Sequence, residues 1–474
     1  MGSLFSSLSS VANALESFQQ AINVTQNNVT NANSPGYAEQ VPVLISQNFE
    51  TQSGSSGGVS ELTQDTRNQY AETAVQQQES LLGQFQQLQT SLAPLQNAFD
   101  VSSSSPIPSA LNQLFQSFSQ WSTDPTNADY QSAVISAAQQ TATAFQQTAA
   151  QLSQASSSNA NDIQSTIAQI NQDAATIQSY NINISKEGQP DAGLSAQLYS
   201  ALDDLASQVP IQVLPGVGNT VTVLMGGQTP LVIGTQALPL QAVTDPSSNA
   251  GNPGAPPNIE IVDADGNNVT SQVTSGSLSG LLTVQNSVLP SLGGGGQQVG
   301  QLNTMAQTLA DAVNNVLAAG STTLNPPYQS GAPLFTYNAS SPAGIASSLS
   351  VNSALTPDQL AAVSPGPPYV SNGAALQLAS LATSSNAQLG GMNFTQYFSA
   401  MAAQVGNMAS NANTEVTSQT QLLANAQNLR QQVSGVNMDE EAIRLVQLQS
   451  AYQAASKVVT VVDQLAQSLM DMVQ

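Results

Sequence analysis

Cysteine and histidine are both missing from the 474 residues of this chain. Their absence removes a thiol nucleophile, a disulfide framework, an imidazole base and the usual ligands of zinc. Basic residues are nearly as scarce: Arg67, Lys186, Arg430, Arg444 and Lys457 stand against 28 acids, for a net charge of −23. A surface of that sign cannot neutralise phosphates, which excludes nucleic acid and anionic lipid as partners. No apolar run reaches the roughly 18 residues a membrane-spanning helix needs. The N-terminus also lacks the basic and continuous apolar regions of a cleaved secretory signal. Only 7% of residues are charged, against about a quarter in ordinary soluble proteins. Polarity comes instead from Gln, Asn, Ser and Thr, a surface that gains little positive repulsion in acid surroundings.

What is present is an apolar ruler at each end. Leu4, Leu8, Val11, Leu15, Phe18, Ile22, Thr25 and Val29 follow alternating 4-3 spacing. So do Leu445, Leu448, Tyr452, Ala455, Val459, Val462, Ala466, Leu469 and Val473. A period of about 3.5 is the narrow seam of a coiled coil. At about 1.5 Å per residue the stripes run roughly 38 and 42 Å, which predicts that the first and last helices pair and bring the termini together. Few charges flank them, so their register is expected from apolar packing and amide contacts more than from ion pairs.

Between these ends the text reads helical, then β, then helical: a mainly α chain with an inserted β domain. Residues 1–60 read as a coiled-coil helix, the Pro35-Gly36 turn and an extended arm in which Pro42 allows at most an edge strand. Residues 53–58, Ser and Gly, read as a flexible joint. Residues 61–207 form the first part of a helical rod, broken at Ser102 to Pro108 and at Thr123-Asp124-Pro125, where Asp124 is the expected N-cap. Ile163, Ile167, Ile170, Ala174, Ile177 and Ile184 make a further narrow stripe. Residues 208–277 are the β-rich outer domain, its β-branched runs separated by Gly and Pro. Residues 278–372 are a helix, weakened at Gly293 to Gly296, and a Pro/Gly-rich irregular segment. Residues 373–433 return to the rod and 434–474 carry the terminal helix, with one break at Ser434-Gly435.

Candidate chemistry is thin. Asp263-Ala264-Asp265-Gly266-Asn267 has the flavour of a calcium loop, but its Gly comes one place early and the twelfth position is Thr274, so a hairpin turn is expected. Asp439, Glu440 and Glu441 open the last helix, with Asn437 as N-cap and Glu440 completing a capping box. The Gly293 to Gly296 run has no following Lys-Ser/Thr and is no phosphate loop. Tyr37 is expected to pack after its turn, and Lys186 and Lys457 to be solvated. A carboxylate-only glycosidase would need two acids roughly 5 to 9.5 Å apart across a cleft, and the β segment offers only Asp245, Glu260, Asp263 and Asp265. No catalytic, cofactor or metal residues are assigned, and no cofactor is expected.

Two motifs carry a family resemblance. Asn27-Asn28-Val29-Thr30-Asn31-Ala32-Asn33-Ser34-Pro35-Gly36-Tyr37 resembles the segment that closes the first helix in flagellar axial proteins, the rod, hook and hook-associated group. Ser434-Gly435-Val436-Asn437-Met438-Asp439-Glu440-Glu441, with Gln449 to Val459 beyond it, resembles the C-terminal motif of the hook-associated protein 1 family. Weaker similarity runs through Leu111–Phe145, Leu194–Val213 and Leu278–Ala319. Arg is usual in that family where this chain has Glu39, Gln131 and Leu202, so the contacts of those arginines are not expected here. The resemblance implies a structural subunit, not an enzyme, that forms a ring between hook and filament and is needed for filament assembly. It implies an extracellular place on the flagellum, reached through the flagellar type III apparatus. Its implied partners are other copies of itself, the hook protein, a second junction protein (hook-associated protein 3) and an export chaperone at the C-terminal helix. The rival within the group is a hook or distal-rod subunit. Isolated helices with few charges are marginal in water, so both terminal arms are expected to order only on assembly.

Overall fold

The computed structural model describes residues 2–50, 55–100, 106–187, 192–250, 252 and 255–471; for 2–7, 47–50, 55–58, 187 and 469–471 it describes the backbone alone. Helix α1 (Gly2–Asn31) leads through the turn into a hairpin of β1 (Gln40–Glu50) and β2 (Ser55–Asp65), paired antiparallel with Val43 opposite Leu62. The hairpin lies along α1, where the Ser17 hydroxyl donates to the carbonyl of Val59 at 2.9 Å. Of the stretch expected to be a flexible joint, residues 55–58 instead open β2, and residues 53 and 54 lie outside the described residues. Glycine has no side chain to oppose the ladder, so pairing set by the flanking Val and Leu residues runs through Gly58.

Helix α2 (Gln69–Ala98) is capped by Asn68, whose side chain accepts from the Ala71 amide. Then follow α3 (Pro106–Thr123), α4 (Ala128–Glu187) and α5 (Ala192–Gln208). Two boundaries differ from expectation. Pro106 begins α3, a position where its missing N–H costs nothing. The cap of α4 is Asn127 rather than Asp124, since the Asn127 side chain accepts from the Asp129 amide at 2.9 Å while Asp124 closes the preceding turn.

At 60 residues α4 is about 90 Å long, and it is the spine that joins two cores. Its first half shares a core with α2, α3 and the later helices, where Trp121, Phe118 and Phe145 are fully buried and Phe99 meets Phe398 at 5.9 Å. Its second half carries the isoleucine stripe. Those residues face α5 and the β domain, not another long helix, so the stripe is the floor of a sheet and not a coiled-coil seam. The β domain is two small antiparallel sheets. One is β3 (Ile211–Pro215), β4 (Val221–Met225), β5 (Thr229–Ile233) and β6 (Gln236–Ala237); the other is β7 (Gln241–Thr244) with β8 (Ile259–Val262). Neutral amides hold it down. Asn171 exchanges two hydrogen bonds with the Leu240 backbone, and Asn181 donates to the carbonyls of Val221 and Gly234 while accepting from the Val221 amide.

The chain returns through α6 (Ser277–Thr283) and, after one π-helical turn, α7 (Leu289–Gly293). The glycine run ends the helix outright: Gly294, Gly296 and Gly300 all have positive φ, and α8 (Gln301–Ala319) starts afresh. The irregular segment holds β9 (Phe335–Thr336), α9 (Ile345–Ser348), β10 (Ser350–Val351) and two 3-10 turns, Pro342–Gly344 and Pro357–Gln359, with Leu334 and Phe335 buried in the first core. Beyond it come α10 (Gly373–Ser380), α11 (Phe394–Ser434) and α12 (Met438–Asp471). A second break therefore interrupts the last helical stretch. Gly390 and Gly391 turn the chain with positive φ, and Asn393 with Gln396 restarts it in a capping box. Helix α11 packs along α2, and α12 returns along α1, so the first and last helices lie side by side.

Candidate functional site

The place where α1, the hairpin and α12 meet the body gathers both sequence motifs and most of the basic residues. The turn forms as its residues dictate. Tyr37 N–H donates to the Ser34 carbonyl, and Gly36 takes the positive φ of 70° that its position after Pro35 requires. Gly36 is also pressed against α5: a Cβ there would stand 2.4 Å from the carbonyl oxygen of Ala196. Asn33 and Pro35 face outward.

Asn28 is fully buried and uses all four of its hydrogen-bonding positions. Its amide donates to the Gln40 carbonyl at 2.8 Å and to Glu441 Oε2 at 2.9 Å; its Oδ1 accepts from the Gln40 amide at 3.0 Å and the Tyr37 hydroxyl at 2.8 Å. One side chain thereby fixes α1, the turn, β1 and α12. Glu441 is fully buried as well; burial pushes its carboxyl up, against the pull of Asn28 and Arg444. Arg444 pairs with Glu441 and with Glu39 at 2.9 Å. So Glu39, where the resembling family has Arg, is here the acceptor for the arginine of α12.

The C-terminal motif behaves less as a capping box than expected. Asn437 caps α12, but its side chain accepts from Asp439 rather than from Glu440. Asp439 and Glu440 are exposed, and Glu441 is the acid that turns inward. Ser434, at the end of α11, ties three segments: its hydroxyl oxygen accepts from the Asn68 amide and its carbonyl from the Glu39 amide, both at 2.9 Å. Gly435 and Val436 are half-buried in the bend that follows.

Beside this lies a buried ionic cluster that the sequence reading missed. Arg67 donates to Glu72 at 2.8 Å and to the Gly36 carbonyl at 2.7 Å, and its guanidinium sits 3.6 Å over the ring of Tyr199. Arg430 bridges Glu72 at 3.1 Å and Asp203 at 2.8 Å. Burial raises the Asp203 carboxyl to about 6 despite Arg430, and raises that of Glu79 to about 8, with repulsion from Asp203 adding to it. Burial lifts the Tyr199 phenol to about 12. Three of the five basic residues thus lie within one joint, each bonded to segments remote in sequence. Their rarity was the one available signal, because partners such as Glu72 and Arg430 lie 358 positions apart. The expectation that register rests on packing more than ion pairs is corrected for this end of the seam.

The seam itself is brought together in part. Ala21, Ile22 and Leu448 are buried with Phe18, Leu445 and Tyr452 against them, while Leu8, Val11, Leu15, Val29, Ala455, Val459 and Val462 are half-buried. The side chains of Leu4 and Leu469 lie outside the described residues. On its other side α12 exposes Ile443, Val446, Val458, Val461 and Leu465, with Val446 at 63%. Lys186 and Lys457 are exposed. Asp263 closes a turn, its Oδ1 accepting the amides of Asp265 and Asn267. Among the described residues no group of three or more acids is placed to hold a metal ion. The arrangement's chemistry is therefore that of a clamp.

The flagellar hook-associated protein FlgK helical domain model matches residues 92–335, and the flagellar basal body rod FlgEFG protein C-terminal model matches residues 430–472. Over 506 aligned residues the chain is 25% identical to flagellar hook-associated protein 1 of Bacillus subtilis strain 168, covering 98% of this chain and 97% of that one. Its fold resembles the flagellar hook junction protein FlgK of Burkholderia pseudomallei, with a TM-score of 0.65 at 16% identity over 76% of this chain and all of the other.

Proposed function

This chain belongs to the FlgK family of flagellar hook-associated proteins, whose helical-domain model spans more than half of it, and from that membership we propose how its joint works. It is a structural component of the flagellum at the hook–filament junction. The observation that carries the reading is the joint: Asn28, Glu441, Arg444 and Glu39 clamp the paired terminal layer together, and Ser434 and Arg67 tie that layer to the long helical body. The terminal layer supplies the continuous surface along which copies of the chain form a ring. The outward apolar stripe of α12 is open to the neighbours such a ring requires. The same stripe, before assembly, is the face offered to an export chaperone. Secretion through the flagellar type III apparatus suits a chain without disulfides, which would obstruct threading. The hook protein and hook-associated protein 3 are the adjacent subunits, the clamp does no catalysis, and the segments proposed as units are 1–60, 61–207, 208–277, 278–372, 373–433 and 434–474.

Removing the protein from its cells tests this. Hooks that end without filaments, with filament subunits shed into the medium, are the expected result. Filaments growing on hooks that lack the protein would overturn it, and loss of the hooks themselves would favour the hook or distal-rod reading.

A further inference from the structure

The ionic cluster holds more acid than its arginines can balance. On α2, Glu72 and Glu79 are seven residues apart, two helical turns, and so share one face. That face meets Asp203 and Asp204 of α5 and Arg430 of α11, with Arg67, Asp65 and Tyr199 at the Glu72 end. Arg430 is taken by Glu72 and Asp203, and Arg67 by Glu72, Asp65 and the Gly36 carbonyl. No basic group remains for Glu79. Glu79 Oε2 and Asp203 Oδ1 are both buried without a hydrogen-bond partner. Of the other elements packed on α2, α6 carries no titratable residue, and α4 brings Asp173 beside Asp204 and Tyr180 beside Asp65 and Arg67, which adds acid and no base.

An ionised carboxylate in that position faces acids and holds one oxygen, Oε2, out of reach of water or any hydrogen-bond donor; a neutral one lessens both costs. We propose that Glu79 is a protonated carboxylic acid in the closed joint at neutral pH, and that this proton is what keeps α2, α5 and α11 packed there. The joint is then a pH-sensitive latch. Burial is the larger cause of the raised carboxyl and repulsion from Asp203 the next, and the group reaches about 8. When the joint opens, Glu79 returns to the ordinary carboxylate range near 4.5. The closed state therefore binds the extra proton, and the stability it brings is complete below that ordinary value and is lost as pH rises through about 8. Acid tightens the joint and alkali loosens it. Gln76 and Ser80, buried on the same helix, are neutral at every pH and do not share this behaviour.

Two measurements on the full chain test the latch. In wild type labelled with carbon-13 glutamate, the infrared stretch of a protonated carboxyl is expected at pH 7 and should vanish as pH is raised past about 8. It should be missing from Glu79→Gln, which copies the neutral form. Amide exchange of residues 430–434, corrected for intrinsic rates, gives the opening equilibrium. Between pH 5 and 7 the ratio of opening in wild type to that in Glu79→Gln should rise about seventyfold, a little under tenfold per unit. No protonated band in the wild type at pH 7 would overturn the proposal. So would a ratio that stays constant across that range. The wild-type titration stands even if the variant folds poorly, and fluorescence of the single Trp121, buried in the first core, reports whether the body is intact.

Discussion

Replacing Asn28 with leucine, similar in size but without polar atoms, isolates the clamp. The change removes the Asn28 bonds to the Gln40 N–H and C=O, to the Tyr37 hydroxyl and to Glu441 Oε2. Tyr37 is half-buried and can turn to water, and Glu441 keeps Arg444, so the penalty falls chiefly on the two backbone groups of buried Gln40. Each buried group left unsatisfied costs about 1–3 kcal/mol. The better helix propensity of Leu returns roughly 0.5 kcal/mol. The expected net loss is about 3 kcal/mol, a hundredfold or more in the local opening equilibrium. Because a chain with two cores need not unfold in one step, the readout must be local. Amide exchange of residues 40–45 and 438–450 should speed up by that factor while Trp121 fluorescence stays unchanged. A double-mutant cycle with Glu441→Gln then separates the side-chain bond from the backbone bonds. Less than a tenfold loss of protection, with the body intact, would refute the claim that Asn28 holds the terminal layer.

Gly36→Ala should loosen the turn from α5, since it adds about 1–2 kcal/mol of left-handed strain and drives a Cβ toward the Ala196 carbonyl. Gly218→Ala is the matched control, at φ 70° with open space around it. Proteolysis within residues 31–37 should increase for the first variant only, and equal behaviour would show that the packing contributes nothing. Against the expectation that both arms order only on assembly, amide exchange along α1 in dilute monomer should be graded rather than uniform. Residues 21–29, next to the buried cluster and Asn28, should be protected at least a hundredfold more than residues 8–15, whose seam positions are half-buried. Uniform exchange of the whole helix, fast or slow, would remove the division between seam and clamp.

The terminal pairing was legible because a stripe of period 3.5 is local information: each residue predicts the next. The clamp was not, because Asn28 meets Glu441 across 413 positions and nothing near either residue announces the other. Glu39 shows how a resemblance misleads at one residue. Its acidity looked like a lost arginine contact, yet it gained Arg444 by supplying the opposite charge. The isoleucine stripe of α4 was visible as a period but not as a partner, since a sheet and a helix bury the same ridge. Nothing in the sequence singles out Asn171 and Asn181 among so many polar amides, and only the geometry shows them holding the β domain through its backbone. Gly294 and Gly296 were visible as weakness, but the sign of φ that turns weakness into a full stop is a tertiary choice.

The placement of charge follows from what each interaction does well. Burying a salt bridge in place of apolar groups brings little net stability, because desolvation offsets the attraction, but leaving one partner unpaired in the same place costs several kcal/mol. Charges are therefore poor at supplying stability and good at rejecting a wrong register. The seam can supply area without charge, and a neutral seam tolerates sliding by one heptad, since every heptad presents nearly the same stripe. At the joint such a slip would separate Arg444 from Glu39 and place Glu441 away from Asn28, leaving buried charge unsatisfied. With only five basic residues to place, the chain puts Arg444 where a slip would do most harm, sets Arg67 and Arg430 in the adjoining joint, and leaves the rest of the seam to apolar packing.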